Sequence, residues 1–144
     1  MQKLVEDRLR DSRIELPKAT QSHFEHRALG NGNKLVYVSA LRSLQVQSGQ
    51  IGTEVSTDEA RELTRLCLLG VLANLKVACG SDLNRVVRCV KMTAFMKASP
   101  EFREHPRVLD SASDLLVEIF GQIGTHARSA IGTDDLPPSA AVKI

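Results

Sequence analysis

The sequence predicts an α+β domain with two long helices laid on one face of a sheet. Three observations carry that expectation. The first is a pair of helical segments with apolar stripes, from Ser56 to about Gly80 and from Pro106 to Phe120. The second is a set of short alternating segments around and between them, which read as strands. The third is an imbalance of apolar surface. In the segment 84–97 the even positions are mostly apolar, with Val86, Val90, Met92, Ala94 and Met96, while the odd ones mix Val87, Cys89 and Phe95 with Lys91, Thr93 and Lys97. One sheet face is therefore core, and the other is too apolar to stand fully in water. Two helices cover only one face, so the second is expected to meet another copy of the chain.

Taken in order, the elements follow from local patterns. Leu4 to Arg13 forms a short amphipathic helix through Val5 and Leu9, closed by the approach to Pro17. A polar stretch then leads to two extended pieces, Phe24 to Leu29 and Lys34 to Ala40, joined by Gly30-Asn31-Gly32-Asn33 in the manner of a hairpin. Leu41 to Gly52 reads as a further short, partly exposed strand with bends at Gly49 and Gly52. Ser56-Thr57-Asp58-Glu59 has the pattern of a capping box and opens the first long helix. Its stripe is Ala60, Leu63, Cys67, Val71 and Ala78, widened by Leu68, Leu72 and Leu75. Asn84 to Lys97 is a long strand. In the second long helix Val108, Leu109, Ala112, Leu115, Leu116, Ile119 and Phe120 face inward, and Asp110, Ser113 and Glu118 face outward. Gly121 and Gly124 end that helix, and Thr125 to Ile131 is a strand of small residues.

Composition narrows the function. The 144 residues make one domain, long enough to bury a core. A net charge of +2 and 3% aromatic residues argue against a nucleic-acid module, which needs a clustered basic stripe and stacking rings. Cys67, Cys79 and Cys89 form no CxxC pair and read as buried, reduced thiols of a reducing compartment. No apolar run is long enough to cross a bilayer, and the start MQKLVEDRLR has no apolar signal core, so a soluble, cytoplasmic protein is expected. His23 and His26 have metal-ligand spacing if helical, but they lack a third ligand nearby, and no metal is expected.

The one arrangement that looks like a site centres on Arg128. Alternation puts His126, Arg128 and Ala130 on one strand face, and a guanidinium among small residues requires an anionic partner. That partner is either a small-molecule carboxylate or an acidic side chain of this subunit or a neighbour. His126 either lines the same cleft or is a half-exposed residue at a strand start.

HARSAIG, followed by DDLPPSAAVKI, resembles the closing segment of the Rid/YjgF family, the reactive-intermediate imine deaminases once labelled L-PSP endoribonucleases. The likeness extends through LVYVSA, GQIGTEVSTDEA and SPEFREHPRVLDSASDLLVEIFG and so covers most of the chain, residues 1–144 as a single domain. Arg8 to Lys18, within an added segment 1–18, is similar to a subgroup with a short extra helix. The resemblance implies a chorismate-mutase-like α+β fold with a mixed sheet, assembled as a homotrimer with sites between subunits. It implies no cofactor. It also implies an activity, hydrolysis of reactive imines and enamines to 2-oxo acids and ammonia, or else capture of small 2-imino and 2-oxo carboxylates without turnover. Ribonuclease activity is the less favoured reading on composition.

Carried over residue by residue, Arg128 matches the carboxylate-binding arginine and Ser39 the serine after the first core strand. Phe24 stands about where relatives place a tyrosine, and Ala130 where many have a cysteine whose backbone helps to bind substrate. Asp110 takes a position that is often asparagine. The largest departure is Lys143, at the position of the water-positioning glutamate: an ammonium has three donors and no acceptor, so it holds an anion but draws no proton from water.

Overall fold

The computed structural model describes residues 4–20, 24–30, 33–38 and 48–144. Its first helix, α1 (Val5–Asp11), buries Val5 and Leu9, the two apolar residues that its pattern singles out. The hairpin forms as β1 (Phe24–Gly30) and β2 (Asn33–Val38), paired antiparallel from Phe24 opposite Val38 to Gly30 opposite Asn33. Of the strand expected over 41–52, residues 41–47 lie outside the described residues. Ile51, fully buried, makes isolated bridges to Val55 and Ala98.

Helix α2 (Thr57–Ala78) begins where the capping box predicts. The Ser56 side chain accepts from the Glu59 N–H, and the Glu59 carboxylate accepts from the Ser56 N–H at 2.8 Å. Along it Ala60, Leu63, Cys67, Leu68 and Leu72 are buried. Two polar residues join them without a signal in the pattern. Thr64 is buried and donates to the Ala60 carbonyl at 2.6 Å, and Asn74 is buried and donates to Thr20 at 3.2 Å.

The long strand expected over 84–97 is only half strand. Leu83–Arg85 is a 3-10 turn whose start is capped by Asp82, and the extended ladder is confined to β3 (Lys91–Lys97). The turn is held by α1: the Glu6 carboxylate accepts from the Leu83 N–H at 3.0 Å and from Lys76 at 2.8 Å, while Asn84 Oδ1 accepts from the Glu6 N–H. Hydrogen bonds from a distant helix thus override the alternation of this segment.

Helix α3 (His105–Phe120), with Pro106 in its first turn, packs against α2 and buries all seven residues of its expected stripe. Gly121, at φ +62°, closes it, and a Cβ there would meet the Arg8 guanidinium at 2.9 Å. Arg8 in turn donates to the Glu118 carbonyl in the last turn of α3, so α1 covers that helix end. After the 3-10 turn Gly121–Gly124, β4 (Ala127–Thr133) runs parallel to β3, and β5 (Val142–Lys143) pairs antiparallel on its other side. The order β4-β3-β5 is a mixed sheet. Met92, Ala94 and Met96 point into the core under the two helices, as their even positions predict. Among the described residues no helix is long and apolar enough to cross a membrane.

Candidate functional site

Strand register decides which residues share the face that holds Arg128. The start of β4 is fixed by two backbone bonds, Cys89 N–H to the Ile123 carbonyl at 2.8 Å and Ala127 N–H to the Val90 carbonyl at 3.1 Å. With Ala127 thus opposite Lys91, Arg128 falls opposite buried Met92 and Ala130 opposite Ala94. Arg128 and Ala130 therefore lie on the helix side of the sheet. Beyond them on that face is only Gly132, so nothing bulky on β4 fills the space around the guanidinium.

The anionic partner of Arg128 belongs to its own chain. Arg128 Nη1 lies 2.7 Å from Asp110 Oδ1 and donates to Ser113 Oγ at 3.2 Å. Asp110 and Ser113 are three residues apart on α3 and so present one edge of the helix to β4. Their expected outward direction is refined here: that edge lies beside the strand while staying partly open to solvent. Ser113 also meets His126, whose Nε2 is 3.1 Å from its hydroxyl, while His126 Nδ1 stands 2.6 Å from the Gly124 carbonyl. A carbonyl only accepts, so Nδ1 carries a proton. In the neutral ring Nε2 then accepts from Ser113, whose oxygen is left to accept from Arg128. With the ring neutral, the bonds run in one order from Arg128 through Ser113 and His126 to Gly124. Gly124 is held close to α3, since a Cβ there would stand 2.4 Å from the Leu116 carbonyl oxygen.

The guanidinium is only half used. Nη1 makes both contacts, and among the described residues the side-on fork of Nε and Nη2 has no partner. The side chains of Arg128 and Asp110 are 34% and 44% exposed, and an ion pair so solvated contributes about 0–1 kcal/mol. The arrangement holds the arginine in place at little energetic depth and keeps donors turned to solvent.

Other expected site residues divide. His126 joins Arg128 through Ser113, and Ala130 follows it on the same face. Lys143 does not join them within one chain. It pairs with Phe95, which pairs with Ile131, and that row lies on the sheet face opposite to Arg128. Ser39 lies outside the described residues. Phe24 begins β1, and His26 sits within the same strand, so the helical spacing that a His23–His26 metal pair needs is not met there. Among the described residues there is no group of three or more metal-ligating side chains. Cysteine chemistry has little support: Cys67 is buried, and burial pushes the Cys89 thiol up to about 11, far from a reactive thiolate.

Another hollow, open and of about 660 Å³, lies at the start of α2 and includes none of these residues. Three of its four carboxylates are already engaged: Glu54 with the Gln50 N–H and Thr53, Glu59 in the capping box, and Glu104 with Arg107 and Thr57, while Glu101 stands at the exposed rim. What the sequence pattern missed is Ser113, and no local signal points to it. Its partnership with a strand residue 15 positions later exists only through the register of β4.

Comparison with known proteins fits this architecture. Residues 6–142 match the model of the family described as "YjgF/chorismate mutase-like, putative endoribonuclease". Protein TCP17 of Trypanosoma cruzi is 41% identical over 98 residues, which are 67% of this chain and 61% of that protein's length. A protein of unknown function from Agrobacterium tumefaciens superposes with a TM-score of 0.83 at 33% identity, over 97% of this chain and 88% of its own. A "putative endoribonuclease" from Shewanella oneidensis does so with a TM-score of 0.84 at 30% identity, over 98% and 95%. With the match spanning nearly its whole length, this chain belongs to the YjgF/chorismate mutase-like family.

Proposed function

We propose that the protein captures small 2-oxo and 2-imino carboxylates through Arg128, in clefts between the subunits of a homotrimer, and hydrolyses imines feebly. One observation carries the reading. Among the described residues Arg128 is held by Asp110 and Ser113 through Nη1 alone, which leaves the Nε and Nη2 fork for a ligand. That fork matches the two oxygens of a carboxylate, and a charge-assisted contact of this kind contributes about 1.5–3 kcal/mol. On the strand beside it the next residue on that face is Ala130, small enough to admit a ligand of a few atoms, whereas the space over Gly132 is taken by the His105 ring. Family membership supports a small-molecule site. The family's description as an endoribonuclease has no support in a composition with 3% aromatic residues and a net charge of +2.

Hydrolysis needs a group that takes a proton from water, and Lys143 as an ammonium has no acceptor to offer. The outer sheet face, where Phe95 is half-buried and Ile131 is 42% exposed in the single chain, supports association with further copies. Titration calorimetry with pyruvate tests the carboxylate site directly. The parent protein should bind it, and Arg128→Ala should weaken binding at least tenfold. Equal affinity in the two would end the proposal.

A further inference from the structure

Resting on Arg128 as the carboxylate anchor, we infer that Asp110 makes the site prefer zwitterionic 2-amino acids to the 2-oxo acids that it also takes. The guanidinium and the carboxylate touch at 2.7 Å, and both are partly open to solvent. A fixed cation and a fixed anion thus stand side by side. A 2-amino acid presents the complementary pair, a carboxylate and an ammonium group bonded to the same carbon. The free valences of the site match it. On Arg128 the Nε and Nη2 donors have no partner among the described residues, and on Asp110 the same is true of Oδ2. The ligand carboxylate takes the fork, and its ammonium donates to Oδ2 as a charge-assisted bond.

A 2-oxo acid uses only half of this arrangement. Its carboxylate fits the fork, but its keto oxygen brings lone pairs toward the Asp110 carboxylate, and acceptor against acceptor is repulsive. Ser113 does not relieve that conflict. Opposite a neutral His126 its hydroxyl proton is directed to Nε2 while its oxygen accepts from Arg128, so in that state it offers no donor to the ligand. Asp110 is therefore a specificity-determining residue, distinct from the anchor beside it.

Alanine and pyruvate differ only at the 2-position, and calorimetry near pH 7.5 with both separates the two roles. The parent should bind alanine at least fivefold more tightly than pyruvate. Asp110→Asn should weaken alanine at least fivefold and tighten pyruvate at least twofold, and Arg128→Ala should lose both. The opposite shifts in one variant cannot arise from misfolding, which would weaken both ligands. A parent that prefers pyruvate, or an Asp110→Asn variant that moves both ligands in the same direction, overturns the role of Asp110. With pyruvate still dependent on Arg128, the anchor would survive that result. A parent that binds neither ligand, or an Arg128→Ala variant that binds as well as the parent, overturns anchor and inference together.

Discussion

At the scale of single residues, Arg128 and Lys143 pull the functional reading in different directions. Arg128 has a carboxylate partner in its own chain, so its charge needs no ligand, yet among the described residues only one of its terminal nitrogens is engaged. Lys143 stands on the other sheet face, in a row with Phe95 and Ile131. The two can share a site only if the face of one subunit meets the edge of another. On that arrangement a carboxylate at position 143 restores an acceptor for the attacking water. Lys143→Glu is expected to raise 2-aminoacrylate hydrolysis at least tenfold over the parent, measured by coupled pyruvate formation, and to lose that gain when combined with Arg128→Ala. A parent as active as the variant would mean that another group already serves as the base.

At the scale of elements, the start of α2 is the most strongly specified point in the chain. Ser56 and Glu59 satisfy each other's backbone N–H groups, and no other residue is needed. The Ser56→Ala change should cost about 1 kcal/mol of stability in denaturant unfolding. The Glu59 carboxyl is held below the usual carboxylate range, first by the bond from the Ser56 backbone and then by the Ser56 side chain, against a smaller opposing effect of desolvation. A group whose folded pKa is depressed stabilises above its unfolded value and loses that contribution as pH falls through the folded one. Glu59→Gln should therefore be less stable than the parent at pH 7, and the difference should vanish as the pH drops below about 4. A difference that persists in acid would assign the effect to shape and not to charge.

At the scale of the whole molecule, burial is one-sided. The helices cover Met92, Ala94 and Met96, while on the opposite face Ile131 is 42% exposed beside Phe95, and nearby Val90 is also exposed. The proposed assembly of three copies would remove this surface from water and enclose the Arg128 sites between subunits. Sedimentation equilibrium should give three chain masses for the parent. Ile131→Glu, which places a charge in the centre of that face, should weaken association at least tenfold and reduce pyruvate binding with it. A parent that sediments as a single chain would remove the trimer, and with it the placing of sites between subunits.

Local pattern alone determined what depends on neighbours in sequence. Both long helices, the capping box, the buried stripe of α3 and the inward set of β3 are periodic signals that lie within about 20 residues, and each forms as its spacing dictates. So does the hairpin, whose glycines lie between its strands. Arg128 was legible too, as the lone charge in a strand of small residues. Tertiary structure decided the rest, because the remaining bonds join distant segments. Residues 83–85 became a turn because Glu6, 77 positions before Leu83, accepts its N–H. Asp110 and Ser113 became the partners of Arg128 because β4 runs parallel to β3 in one register, which a shift of a single residue would reverse. That same register put Lys143 on the far face, a separation invisible in a sequence where both residues belong to one closing segment.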